Sequence, residues 1–462
     1  DSSIHATERE GSGAGGVSKD FTVSAQETTF ISRNLPAIRQ DESYCWCPED
    51  YKVQVSFDLQ GTQFTPNEYK PYSQKWEDVD KQLLKPENTQ FGEHLSLTNP
   101  FRPETKQAYN SEMNFEEKII CAFQVLKKKM AWNGRYQLYS KELEKVIKKG
   151  SGSNADLNFI LISILKDFGL EAYPVVMSRR SSGMLPYNFP SLQKLNTFFV
   201  AIHDINKQKY VFLDSSMDVP AFNILPLELS VNKARMLSLK EKEEKKWVNV
   251  MALSHNKSFM KIDARIEGNQ VKGHRSTVLY GQEAIEYQAN ENHKQDNLVS
   301  NPENKVSQKE KLTVTNLKVK KQENDWALIE EEFDFVLQAD RTDDHLYINP
   351  MLFPQLKSNP FIQTERVLPI EFPYPYKFTM LSTLTLPEGY EVEELPQSQS
   401  IRSEGDGLQC KYMIQQQGNT ILLNYVFHLK GYIFLSEQYK QLQELWAKVI
   451  EKNNALIVLK KI

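Results

Sequence analysis

The stretch Gly150-Ser-Gly-Ser-Asn-Ala-Asp-Leu-Asn-Phe-Ile-Leu-Ile-Ser-Ile-Leu-Lys-Asp-Phe-Gly169 decides the reading of this chain. Leu157, Ile160, Leu161, Ile164, Leu165 and Phe168 recur at helical spacing and make one face of a buried helix. Ser153 or Asn154 can cap its start, because a short polar side chain accepts from the free N–H groups of the first turn. Gly169 stops it, since glycine takes the left-handed backbone that ends a helix at no steric cost. The segment Ala172-Tyr-Pro-Val-Val-Met177 then reads as a strand. Two more follow, Leu195-Asn-Thr-Phe-Phe-Val-Ala-Ile202 and Lys209-Tyr-Val-Phe-Leu213, joined by a polar turn. Asp214 stands directly at the end of the last.

Working outward, residues 75–150 read as helical. Phe115, Ile119, Phe123, Leu126 and Met130 form an apolar stripe. Ser140 is placed to cap a helix over Lys141–Lys149 that ends at Gly150. Residues 21–75 read as a partial N-terminal β region, in which alternation puts Val53, Val55, Phe57 and Leu59 on one face. Residues 1–20 read as a flexible segment. Within them Gly11-Ser-Gly-Ala-Gly-Gly16 matches G-x-G-x-x-G formally, but the dinucleotide fingerprint needs a strand before it and a helix after it, and neither pattern is there. Lys240-Glu-Lys-Glu-Glu-Lys-Lys246 reads as a solvated face or a domain linker. Residues 247–462 are β-rich, as in Phe378–Leu386 followed by the turn Pro387-Glu-Gly-Tyr. Residues 280–312 read as a loop or a surface helix. An amphipathic helix after Ser436 carries Leu442, Leu445, Trp446, Val449 and Ile450, and a strand over Ala455–Leu459 ends the chain.

The chain has 462 residues, which suits two or three domains. Hydrophobic content of 40% and charged content of 25% are those of an ordinary globular protein. A net charge of −4 without a basic stripe argues against nucleic acid as a partner. No apolar run approaches the ~20 residues that cross a bilayer. The first residue is Asp1, so a processed product or a fragment is expected. The four cysteines are too few to build a disulfide framework. Cys45 and Cys47 flank Trp46 and leave open a strained disulfide or half of a metal site, but no second pair stands at zinc-like spacing. Cys121 falls at a helical core position, and Cys410 carries no motif. No metal or cofactor is expected.

The order helix, strand, strand, strand end, with Asp214 in Phe-Leu-Asp-Ser-Ser, resembles the core of the transglutaminase-like (papain-type) superfamily. Such a core sets a thiol at a helix N-terminus, where the dipole favours thiolate. A histidine on the facing strand takes its proton, and an aspartate orients the histidine. Matching Gly169 to the family's glycine places Asn154 where the cysteine belongs, and Asp156 agrees with an acidic residue of the same motif. Leu195-Asn-Thr-Phe-Phe-Val resembles the family's Phe-Asn-His-Val-x-Val and places Thr197 where the histidine belongs. Only Asp214 keeps its type.

The flanks are similar to a bacterial group in which a degenerate core of this kind lies between β domains of unknown function. Trp132-Asn-Gly-Arg-Tyr-Gln-Leu-Tyr-Ser carries that likeness before the helix. Ile348-Asn-Pro-Met-Leu-Phe-Pro-Gln-Leu-Lys-Ser-Asn-Pro-Phe361, Glu365-Arg, Phe372-Pro-Tyr-Pro-Tyr, Leu386-Pro-Glu-Gly-Tyr-Glu-Val and Gln415-Gln-Gln-Gly-Asn-Thr-Ile carry it after. The same segments hold turn formers at Asn349-Pro350 and Asn359-Pro360. Their aromatics Phe353, Phe361, Phe372, Tyr374 and Tyr376 read as packing, or as a partner or glycan platform where exposed.

The resemblance implies an α+β protein: a transglutaminase-like core over 76–240, an N-terminal β remnant and a sandwich-like C-terminal domain over 247–462. It also implies export to the periplasm or cell envelope. An amide is no nucleophile, and a threonine hydroxyl is no base near neutral pH. The expected function is therefore that of a non-catalytic binding or scaffolding module, with a peptide, protein or glycan in the cleft. The alternative is an acyl-transfer or hydrolytic enzyme using Ser153, Asp156 and Asp214. His203, six residues past Thr197, is roughly 20 Å away along a straight strand at ~3.3 Å per residue.

Overall fold

The computed structural model describes residues 2–11, 21–35, 37–39, 42–55, 61–63, 69–71, 75–85, 90–186, 188–296, 312–322 and 325–462. At the N-terminus the strand Ser2–Gly11 pairs antiparallel with Phe21–Phe30, where the sequence suggested a flexible segment. Most of the glycine-rich run, residues 12–20, lies outside the described residues.

The expected strand over Tyr51–Leu59 is not formed in its described part. Val53 and Val55 are 68% and 51% exposed, and residues 56–60, with Phe57 and Leu59, lie outside the described residues. Residues 42–51 instead lie along the seam between the two larger parts of the chain. Arg366 Nε sits 3.4 Å from Glu42, with both side chains nearly solvent-free, and Arg366 Nη2 donates to the Ser43 carbonyl at 2.7 Å. Trp46 N and the Tyr51 hydroxyl donate to the two oxygens of Glu371, at 3.1 and 2.5 Å.

The central part is built on a five-stranded antiparallel sheet. Its order is Trp247–Val248, Ala234–Met236, Glu171–Met177, Thr197–Asp204, Lys209–Leu213. The sheet thus runs past residue 240, where the sequence placed the end of the central domain. Helices Trp76–Leu84, Phe115–Lys129 and Asn154–Asp167 cover one face. Phe198, Val200 and Ile202 point into this helical core, while Phe199 and Ala201 point into a second cluster behind the sheet. Because both faces are covered, the strand lacks the polar alternation of a half-exposed one.

Local signals explain where helices start and stop. Asn114 and Glu117 form a capping box at the start of Phe115–Lys129, and the expected stripe of Ile119, Phe123, Leu126 and Met130 is buried. Gly150 ends Leu143–Lys149 with φ +69°. Ser140 does not cap that helix: its N-cap is Glu142, and Ser140 is buried with its hydroxyl unpaired.

The charged run 240–246 is only partly solvated. Lys246 Nζ donates to Asp80 at 2.9 Å, and Arg235 grips Asp80 through Nε and Nη2 at 2.6 and 2.7 Å. Glu243 takes the other side of the same guanidinium, at 2.6 and 2.9 Å. Arg235 is fully buried between the rings of Trp76 and Trp247, whose centroids lie 5.7 and 5.1 Å from it. A charge can sit there only because it is paired and hydrogen-bonded on every side. This cluster ties the first helix to the edge of the sheet.

The C-terminal part is β-rich. Its eight-stranded sheet has the order 312–322, 325–338, 270–280, 257–267, 376–385, 420–429, 408–417, 399–402. All neighbours are antiparallel except Lys257–Glu267 and Tyr376–Thr385. Along Lys257–Glu267, Met260, Ile262, Ala264 and Ile266 alternate inward. A four-stranded sheet (340–342, 345–348, 457–461, 390–394) and the helix Tyr439–Asn453 share that core. Residues 282–296 are helical. The turn formers act as read: Asn349 and Asn359 accept from the N–H two residues on, and their amides reach the Asn453 and Gln443 carbonyls.

Replacing Asp80 by alanine leaves two buried cations without their shared partner. A loss of about 3–5 kcal/mol in urea unfolding is expected. A loss below about 1 kcal/mol, the scale of an exposed pair, would show the cluster to be solvated.

Candidate functional site

The helix Asn154–Asp167 starts at Ser153, which closes a capping box with Asp156. Ser153 N and Oγ donate to Asp156 Oδ2 at 2.8 and 2.7 Å, and Asp156 N donates back to Ser153 Oγ at 3.3 Å. The serine and aspartate considered as unconventional catalytic groups are thus each other's partners, and Ser153 is 1% exposed.

The next residue reaches the sheet. Asn154 Nδ2 donates to Thr197 Oγ1 at 2.8 Å, to the Phe198 carbonyl at 3.0 Å and to Asp214 Oδ2 at 3.5 Å. Its Oδ1 accepts from Gln137 N at 2.9 Å. The structure therefore brings Asn154, Thr197 and Asp214 together.

Asn158, one turn further on, completes the arrangement and was not singled out in the sequence. Its Nδ2 donates to the Phe198 carbonyl at 2.8 Å and to Asp214 Oδ2 at 2.9 Å. Its Oδ1 accepts from Ser215 N and Oγ at 3.0 and 2.5 Å. Each amide's oxygen faces N–H or O–H donors and its nitrogen faces oxygens, so the network fixes which end is which. Asp214 Oδ1 accepts from Ser216 N at 3.0 Å and from the Ser216 hydroxyl. The spacing of Asn154 and Asn158 was the available signal: two amides four residues apart on a helix whose first three turns are buried must find partners.

The site is closed. Asn154 and Thr197 are 0% exposed and Asp214 1%, so solvent does not reach the point where the sequence reading expected a cleft. The segment before the helix covers it: Ala131 and Asn133 N donate to the Gly150 and Gly152 carbonyls, and Asn154 N donates to Arg135 O. The Tyr136 hydroxyl lies 3.4 Å from Ser216 Oγ. Burial pushes the Asp214 carboxyl above its usual range, against the pull of its donors Ser216, Asn158 and Asn154. His203 sits near the other end of its strand, with Nδ1 3.4 Å from Glu171 and its ring stacked on Tyr210.

The cysteines lie elsewhere. Burial, with the Glu371 carboxylate nearby, pushes the Cys45 thiol up to about 11 and so suppresses thiolate. Burial also raises Cys47 and Cys121, and Cys410 to about 11. Among the described residues no group of three His, Cys, Asp or Glu is placed to hold a metal ion.

Mixed α+β architecture with a β-rich C-terminal region is thus the class the fold defines. Residues 344–459 match the family model described as a domain of unknown function with a solved structure (DUF3858). The chain is similar in fold to the crystal structure of a "putative protease" from Parabacteroides distasonis ATCC 8503. That match has a TM-score of 0.51 and 12% identity, and covers 99% of this chain and 69% of that one. At such identity the likeness is one of fold. A comparison with curated proteins returns no match.

Asn158→Ala removes partners from Ser215 and Asp214 at once, and a loss of about 1–3 kcal/mol in equilibrium unfolding is expected. The raised Asp214 carboxyl has a signed consequence. Its contribution is fully present below the unfolded pKa, about 3.9, and is lost as pH rises through the higher folded value. The stability of the wild type relative to Asp214→Asn should therefore fall as pH climbs above about 4. A difference that grows with pH would mean that the four donors, not burial, set the charge.

Proposed function

We propose that the central part is a transglutaminase-like core without its chemistry, and that the protein works as a non-catalytic binding or scaffolding module of the cell envelope. The observation that carries this reading is the sealed contact of Asn154, Thr197 and Asp214. Helix start, strand and strand end meet where such a core would assemble nucleophile, base and orienting acid. Here the helix offers an amide and the strand a hydroxyl that is already accepting a hydrogen bond.

The structural neighbour is named for proteolysis, which requires a nucleophile and a base. Neither a cysteine nor a histidine stands at this point, and the hydroxyls of Thr197, Ser215 and Ser216 are engaged in internal hydrogen bonds. The enzyme reading through Ser153, Asp156 and Asp214 is weaker, because Ser153 and Asp156 are consumed in capping the helix. A peptide, protein or glycan partner would then have to engage a surface other than the filled triad position. Export to the periplasm or cell envelope follows from the resemblance and is tested by fractionating cells that make the protein.

The decisive assay incubates the whole chain with casein, with a fluorescent primary amine plus a glutamine-containing protein, and with serine- and cysteine-reactive probes. The expected result is no turnover above the buffer rate and no label on Ser153. Turnover that Ser153→Ala or Asp214→Asn abolishes overturns the proposal.

A further inference from the structure

The β-rich C-terminal part holds a cavity of about 290 Å³, which shares no lining residue with the Asn154 network and is untouched by the reading above. Its walls come from segments distant in sequence. Tyr44 arrives from the N-terminal segment, Phe372 and Tyr374 from a loop, Tyr376 from the large sheet, Trp446 from the last helix and Glu283 from the helix Gln282–Asp296. The lining grades from exposed Gln355 and half-buried Glu283 at one side to Phe378 and Tyr425, which are 1% and 0% exposed. Aromatic rings dominate it. Phe372 stacks on Trp446, with centroids 5.6 Å apart and planes within 13°, and Tyr44 leans on Phe372 at 5.2 Å.

Two features mark this as more than a packing gap. Tyr44 holds φ +58°, a left-handed backbone that a bulky residue rarely adopts. The neighbouring Glu42–Arg366 contact and the bond from Glu371 N to the Tyr44 carbonyl, at 2.7 Å, keep it there. The second feature is charge. Glu283 and Glu286 each receive only the Tyr374 hydroxyl, at 3.1 and 3.4 Å, and among the described residues no cationic side chain pairs with either. Partial burial raises the Glu283 carboxyl, which lines the cavity, whereas Glu286 stands exposed outside the lining. A carboxylate taken out of water without a counter-charge is costly, and a ligand that supplied one would relieve that cost.

The geometry points to a site for an organic ammonium group, seated among the aromatic faces with its charge against Glu283. Ring faces attract cations within about 6 Å of their centroids, and desolvation strengthens the attraction. A metal ion fits poorly, because hard cations need six or more oxygen ligands and the described lining holds a single carboxylate, Glu283. A neutral sugar would use the rings but leave the carboxylate uncompensated. The ammonium group can come from a free amine or from a lysine side chain of a peptide. The proposal does not depend on the central core being non-catalytic, so either can fail alone.

The test is calorimetric titration of the whole chain with n-butylammonium, with an acetylated lysine peptide and with its norleucine counterpart, and with a neutral trisaccharide. Saturable binding of butylammonium or of the lysine peptide is expected, at least tenfold tighter than the norleucine peptide. Binding of butylammonium alone assigns the site to free amines, whereas tighter binding of the lysine peptide assigns it to a protein partner. Glu283→Gln should weaken the binding about tenfold. Tyr374→Phe keeps the ring and should leave a weaker effect, and a thermal melt of each variant checks that it folds. Equal binding of the norleucine peptide, binding of the trisaccharide in place of the amines, unchanged affinity in a folded Glu283→Gln variant, or no amine binding overturns the proposal.

Discussion

The carbonyl of Phe198 and the carboxylate of Asp214 both receive N–H groups from the side chains of Asn154 and Asn158. That double bridge fixes how the central helix sits on its sheet. Leucines and isoleucines could slide against the strands at small cost, because apolar contact is non-directional. Hydrogen bonds in a dry interior do not allow it: each misplaced amide would strand a buried donor or acceptor. Register between helix and sheet is thus set by a few polar atoms within a large apolar interface.

The same bridge explains why the place is closed. A working thiol–imidazole site must admit substrate, so its nucleophile cannot have all its partners inside the protein. Here every polar atom of the two amides is met internally, and the segment Ala131–Gln137 lies over the helix start with its own backbone bonds. Asp214 plays a structural part here, since its carboxylate gathers donors from the helix and from its own turn. A second polar cluster, Arg235 with Asp80, Glu243 and Lys246, performs the equivalent task at the sheet edge.

The C-terminal part is joined to the core by the chain's own N-terminal segment. Glu371 receives Trp46 and Tyr51, while Arg180 lies 4.4 Å over the Trp46 ring and donates to the Phe372 and Pro373 carbonyls. Aromatics that read as packing are divided by depth. Phe361 and Phe372 are buried, Phe372 also walling the aromatic cavity, whereas Tyr374 and Tyr376 beside it are only partly buried.

What the sequence determined by itself is local. The period of Leu157, Ile160, Leu161, Ile164 and Leu165, the cap at Ser153 and the stop at Gly169 fix a helix whose limits the structure reproduces, because these signals act within one or two turns. The Asn-Pro turns and the last helix were legible for the same reason. The convergence of Asn154, Thr197 and Asp214 could be anticipated only by resemblance. Only the tertiary structure decided that the site is sealed, that Lys246 is buried, that Ser140 caps nothing and that Val53 faces solvent. The sealing and the burial of Lys246 depend on partners far along the chain, as with Arg235 and Asp80, which lie 155 residues apart. Whether a charged or polar group is buried is set by whether the fold supplies its counter-charge and hydrogen bonds, and no local pattern encodes that.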